Sequence, residues 1–394
     1  MSLRPISLSP DLSRLRREGY DIEIRPAWYL LVKNVPYVTA LRTVAFGTLI
    51  SPLCLEGDRT IRPDPHTVFF NGETLCKDDG APLNNIIAGT GPNDLGQGML
   101  AHFVLSSKPE RGHYLDYYEK MTQYAGILTG YARRLDTSVT PTPFNPVPPD
   151  PEDGSIFRYP DTASSRAEIT AMTPKLEVAN VAIVGLGGTG AYILDFLAKT
   201  PIRQIHLYDG DQLRQHNAFR APGAMAEGDF TGGPAKVAQL TRQYSPLRTG
   251  LVEHPCFIDE DNVAELGAMD FVFISVDSSD ARRLISAKLA EYGTPFIDVG
   301  MGIDIAGEAL TGQVRSTLSH PDTREWAMQR LPIAPTDGND DYSRNIQIVE
   351  LNALNAAMAV IKWKKHVGFY ADLEAERHSV YQLDGNSIIN ERPA

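Results

Sequence analysis

The chain has 394 residues, 42% of them hydrophobic and 22% charged, the profile of an ordinary globular protein with length for two domains and a sizeable core. Acidic residues outnumber basic ones by 49 to 37, a formal charge of −12, so the basic face of a nucleic-acid binder is missing in bulk and no nucleic-acid partner is expected. The apolar run Ala27–Val32 is far too short for a membrane helix, Met1–Arg17 has no apolar signal core, and three cysteines without a C-x-x-C pair cannot frame a disulfide scaffold; a cytoplasmic protein with no membrane partner is expected.

Taken in chain order, Pro10–Glu18 has Leu12 and Leu15 on one helical face. Ile22–Ile24, Trp28–Val32, Val44–Ile50 and Val68–Phe70 are rich in β-branched and aromatic residues and read as strands, with Asn71-Gly72 as a turn. Tyr114, Tyr117, Met121, Tyr124 and Leu128 recur at helical spacing and read as core. These elements make residues 1–140 an α+β domain. Residues 141–151, PTPFNPVPPDP, hold six prolines in eleven positions, and 141–165 reads as a semi-rigid linker. From there on, strand and helix alternate. Asn180–Val184, Ile205–Tyr208, Phe271–Val276 and Pro295–Val299 are apolar strands. Helices follow the first strand, through Lys199, and the third, Ser279–Tyr292; Leu351, Leu354, Met358 and Ile361 mark a closing helix. Such alternation means βαβ units and a mostly parallel, doubly wound sheet covered on both faces.

The first of those strands runs into Gly185-Leu-Gly187-Gly188-Thr-Gly190. Glycines there allow a tight turn and close approach of backbone N–H groups to phosphate, at the start of a helix whose N-terminus favours negative charge. Asp209, at the end of the second strand, stands where a dinucleotide fold keeps its ribose-binding acid. A dense polar run follows, Asp209-Gly-Asp211-Gln-Leu-Arg-Gln-His-Asn217-Ala-Phe-Arg220, then Lys236 in Gly232-Gly-Pro-Ala-Lys236, and the strand FVFIS ends at Val276-Asp277. An asparagine, an arginine, a lysine and a carboxylate are what a triphosphate site needs: cations for charge on the phosphoryl group and an acid for Mg²⁺. Each residue also has a structural reading. Asp209 is placed to cap a turn, Asn217 and Arg220 to lie on a surface loop, Lys236 to start a helix, and Asp277 to cap one.

Together, GLGGTG, DGDQLRQHNAFR, GGPAK and VDSSDARR resemble the ATP site of ThiF-type adenylyltransferases, the bacterial relatives of ubiquitin-activating enzymes, over residues 166–394. The resemblance implies a Rossmann-like adenylation domain that uses ATP and Mg²⁺. It gives Gly185, Gly187, Gly188 and Gly190 to the nucleotide, Asp209 to the ribose, Asn217, Arg220 and Lys236 to the phosphates, and Asp277 to the metal. It also implies a homodimer whose partner supplies an arginine; Arg166, in Ser164-Ser-Arg166-Ala-Glu-Ile169, holds that place, with Arg158 as rival. The family's zinc pairs are missing, and no cysteine follows Cys256, so neither structural zinc nor a transfer cysteine is expected in this domain.

Residues 9–80 more faintly resemble the ubiquitin-conjugating fold. His66-Thr-Val-Phe-Phe-Asn71-Gly72-Glu-Thr-Leu-Cys76 is similar to that family's H-P-N…N-G…C stretch, although Thr67-Val68 stands for Pro-Asn. This resemblance makes Cys76 a candidate acceptor thiol, against a half-buried structural one. The combined reading is ATP-dependent adenylation of the C-terminus of a ubiquitin-like protein, passed to Cys76 or to a separate conjugating enzyme. The alternatives are adenylation of a peptide, a small molecule or a tRNA base, the last disfavoured by the acidic balance; a nicotinamide oxidoreductase; or a degenerate scaffold.

Overall fold

In a computed structural model of the chain, residues 4–147, 154–167, 169, 171–333 and 346–393 are described. They fall into two compact units, one of residues up to 155 together with 159–166, the other of 156–158 and 167 onward.

The first unit is an antiparallel sheet with helices over one face. Helix α1 (Pro10–Arg17) buries Leu12 and Leu15. Strands β1 (Asp21–Arg25), β2 (Tyr29–Val38), β3 (Val44–Pro52) and β4 (Val68–Asn71) form a consecutive meander, and β5 (Ile87–Asp94) and β6 (Leu100–Leu105) extend it in the order β1-β2-β3-β4-β6-β5. Helix α2 (Tyr117–Leu135) starts on Asp116, whose carboxylate accepts the Glu119 N–H at 2.8 Å. Its buried stripe of Tyr117, Met121, Tyr124 and Leu128 packs with Leu30, Val32, Leu49 and Phe70 in one core. Tyr114 lies ahead of the helix yet stays buried. The opening of the proline run belongs to this unit: the Phe144 N–H donates to the Gly19 carbonyl at 3.1 Å and the Asn145 amide to Asp21 at 3.0 Å.

The second unit holds an eight-stranded sheet. Its strands are β7 (Asn180–Val184), β8 (Gln204–Tyr208), β9 (Leu251–His254), β10 (Phe271–Ile274), β11 (Phe296–Ala306), β12 (Ala309–Ser319), β13 (His378–Gln382) and β14 (Ser387–Glu391), in the order β9-β8-β7-β10-β11-β12-β13-β14. The five strands from β9 to β11 are parallel, and β12–β14 add an antiparallel flank absent from the sequence reading. Both faces of the parallel part are covered, which is why its strands are so apolar. Val181, Ile183, Phe271 and Phe273 meet helices α3 (Gly188–Ala198) and α6 (Val349–His366). Ala182, Val184, Val272 and Ile274 meet Ile285 and Leu289 of helix α5 (Ser279–Tyr292), and helix α4 (Lys236–Tyr244) buries Val237 and Leu240 with the first group. This is the expected α/β, Rossmann-like architecture. Its strand order reverses between β7 and β10, so a crevice opens at their carboxyl ends, where such folds bind ligands.

Candidate active site

The glycine turn leaves β7 directly into that crevice. Gly185 has φ +89°, and a Cβ on it would stand 2.5 Å from the Ser275 carbonyl oxygen at the end of β10, so only glycine lets these chain ends close together. A Cβ on Gly190 would land on the Gly185 carbonyl oxygen, and one on Gly188 on the Asn352 side chain.

Asp209 follows β8 and is 6% exposed. One carboxylate oxygen accepts the Leu186 N–H at 2.7 Å, inside the glycine turn, and the other accepts the Asp211 N–H at 2.9 Å. The acid therefore caps two turns at once and holds the glycine loop at the head of the crevice. Lys236 opens α4 and is itself 6% exposed. Its ammonium lies 2.6 Å from Asp211 and 3.4 Å from Asp209. Asn217 is buried and accepts the Arg214 N–H at 2.7 Å, which shapes the short turn that carries Arg220. Burial pushes the Arg220 guanidinium below the ordinary arginine value, while Asp277 and Asp211 pull it back. The Arg220 Nε is buried with no hydrogen-bond partner among the described residues. The His216 imidazole is lowered by burial and then by Arg220, Lys236 and Arg214, a second sign that positive charge converges here.

Gly210, Asp211, Gln212, Arg214, His216, Asn217, Arg220 and Lys236 line an open cavity of about 410 Å³. Gly187, Gly188, Asn217, Arg220 and Lys236 meet again around a narrow cleft of about 10 Å³. Asp277 follows β10 with its carboxylate exposed, within electrostatic reach of Arg220. The cap of α5 is Ser278, whose hydroxyl accepts the Ala281 N–H at 3.2 Å, so Asp277 is not needed for that task. Among the described residues no three His, Cys, Asp or Glu side chains group to hold a metal. A lone acid beside a cluster of cationic side chains suits Mg²⁺ only where a ligand's phosphates and water supply most of the coordination.

Not every expected residue joins this cluster. The Arg166 side chain lies outside the described ones. Arg158 pairs along residues 245–249, its Nε donating to the Ser245 carbonyl at 3.3 Å. Of the two readings of Cys76, an acceptor thiol or a half-buried structural one, its burial suits the second. It is 1% exposed, packed with Val38, Ala132 and Val139, and burial, then Asp79, raises its thiol pKa. The chain after the Asn-Gly turn pairs with β2, the Cys76 N–H bonding the Val38 carbonyl at 2.9 Å, which draws the sulfur inward. His66 bonds Ser106 at 3.0 Å.

Asn352, on α6, had no signal in the sequence. It is 1% exposed, accepts the Thr189 hydroxyl at 2.9 Å and donates to the Arg220 carbonyl at 3.3 Å, clamping the glycine turn to the cation loop. Asn352→Leu should therefore raise the KM for a substrate held in this cavity about tenfold and cost about 2 kcal/mol of stability, because a buried hydroxyl and carbonyl lose their partner. Steady-state kinetics and urea unfolding measure both, and an unchanged KM would remove the clamp from the site.

Residues 165–359 match the model of the ThiF family, and residues 10–162 match a domain of unknown function, DUF6791. The chain is 26% identical over 129 residues to the SUMO-activating enzyme subunit uba-2 of Caenorhabditis elegans, covering 32% of this chain and 22% of that protein. It is 29% identical over 113 residues to the tRNA threonylcarbamoyladenosine dehydratase of Escherichia coli (strain K12), covering 28% of this chain and 41% of that one. The matches thus span less than half of either relative. Among solved structures, E. coli MccB with MccA-N7isoASN is similar at a TM-score of 0.47 and 20% identity, covering 59% of this chain and 72% of that one.

Proposed function

From a ThiF family domain at residues 165–359, we propose that this chain adenylates a carboxylate with ATP. A carboxylate oxygen attacks the α-phosphorus, the bond from that phosphorus to the α,β-bridging oxygen breaks, and an acyl-adenylate and pyrophosphate result. The carrying observation is the cavity in which Asn217, Arg220 and Lys236 meet the glycine turn, with a buried guanidinium nitrogen that has no partner of its own among the described residues. The glycine turn presents N–H groups and Lys236 and Arg220 bind the phosphates, stabilising charge that moves onto pyrophosphate. Asp209 reaches the ribose. Asp277 would hold Mg²⁺, which supplies further charge neutralisation at the phosphates. No covalent intermediate on the protein is needed for this step.

The proposed carboxylate is the C-terminus of a small ubiquitin-like protein, on the similarity to a subunit named as SUMO-activating. With Cys76 buried, the acyl group passes to an acceptor outside this chain, a separate conjugating enzyme. The proposal includes a homodimer, for which light scattering is the check. ATP–pyrophosphate exchange tests the chemistry, with a ubiquitin-like protein, a short peptide and a tRNA offered in turn. Exchange with the ubiquitin-like protein is expected, and its Mg²⁺ half-saturation should rise about tenfold in Asp277→Asn. Exchange with the peptide or tRNA alone would replace the substrate, and NADH binding without ATP binding would end the reading.

A further inference from the structure

Asp298 is a fully buried acid that the chemistry above leaves unused. It sits on β11 opposite Ile274, the last residue of β10, where the chain turns out through Ser275 and Val276 to Asp277. On its other side β12 places Thr317 opposite and Arg315 on the diagonal. One Asp298 oxygen accepts the Arg282 Nε at 2.8 Å and the other the Arg315 Nη2 at 2.5 Å. Arg282 comes from the first turns of α5 and is 5% exposed; its second nitrogen reaches back and donates to the Val276 carbonyl.

Packing alone does not call for this trio, since apolar residues of like volume would fill the space without desolvating three charges. What the trio does fix is a peptide plane. With the Val276 carbonyl held, the direction in which the next residue sets off its side chain is held too. Ser278 fixes the chain just after it by capping α5. Asp277 stands between these two anchors, exposed, and makes no hydrogen bond of its own among the described residues.

We infer that Arg282, oriented by Asp298, is a positioning residue that aims the Asp277 carboxylate at the cation of the nucleotide site. The inference rests on the reading of Asp277 as the acid that holds that cation. A fork is required: one guanidinium serves Asp298 and the Val276 carbonyl together, whereas an ammonium on a flexible stem pairs with the acid and leaves the carbonyl free. Arg315 bonds the acid from the far side and is outside the relay.

The test uses the full chain saturated with a non-hydrolysable ATP analogue, with Mn²⁺ binding followed by electron paramagnetic resonance and backbone exchange read at residues 276–279. Arg282→Lys should weaken Mn²⁺ on the order of tenfold, in the range seen when the partners of metal ligands are removed, and should speed exchange in that segment. Binding of the analogue without metal should not change. Arg315→Met should leave Mn²⁺ affinity within about twofold, whereas a merely structural trio makes the two variants alike. Should Arg282→Lys not fold, the double variant Arg282→Gln/Asp298→Asn, a neutral amide pair, takes its place with the same expected loss. Unchanged Mn²⁺ affinity in these variants, with affinity lost in Asp277→Ala, overturns the positioning role alone. Unchanged affinity in Asp277→Ala as well overturns the metal assignment and this inference with it.

Discussion

Arg220→Ala is expected to lower ATP–pyrophosphate exchange about a thousandfold, the scale on which an arginine contributes to phosphoryl chemistry. Burial works against its charge, Asp277 and Asp211 stand near, and its Nε has no partner among the described residues. A buried guanidinium left partly unsatisfied is poised for an anion, and the charge that develops on leaving pyrophosphate provides one. Arg220→Lys should recover part of the rate, since it restores charge without the two-pronged donor. Most of the loss should fall on kcat if the contact tightens as charge moves to the bridging oxygen, and single-turnover kinetics would show it. A loss under tenfold would take Arg220 out of the reaction and leave it a loop residue.

The second large effect is on the backbone itself. Gly190→Ala places a methyl on the Gly185 carbonyl oxygen, and neither group belongs to a flexible side chain that can swing away. The first turn of α3 must then shift. We expect a loss of about 3 kcal/mol in urea unfolding, the upper range for overpacking, together with loss of measurable ATP binding. Gly126→Ala is the control, because Gly126 lies in α2 with nothing within 4 Å of the methyl it would gain. There the same exchange should stabilise by up to about 1 kcal/mol. If the two variants melt alike, the close approach at Gly190 does not govern the turn.

The parts of the site that sequence made legible are those written within a short span. The glycine turn, Asp209, the Asn217–Arg220 run and Lys236 lie between positions 185 and 236, and each follows or begins an apolar element whose period is plain. Asp277 is legible for the same reason, as the residue after a buried strand. Asn352 was invisible because its partners, Thr189 and Arg220, are 163 and 132 positions away and nothing local marks it. Asp298 was hidden likewise, as a polar residue inside an apolar strand whose partners come from a helix and a strand not yet paired. In the first unit, β5 was missed because IAGTGPND breaks alternation with two glycines and a proline, and its register to β6 shifts twice. The spacing around Cys76 suggested exposure after a turn; pairing with β2, a long-range event, decided its burial instead.

The Asn352 clamp also bears on when the candidate site is completed during synthesis. A ribosome has made the glycine turn, the cation loop and all five parallel strands well before it reaches α6. Until that helix emerges, Thr189 and the Arg220 loop have nothing to lock them together, and the α3 face that α6 covers is open. Long-range closure of this kind is the slow part of folding. On the proposed chemistry, a nascent or truncated chain ending before residue 349 would carry every short motif of the candidate site yet lack the helix that covers α3 and ties the Arg220 loop to the glycine turn, and it should bind ATP more weakly than the finished chain.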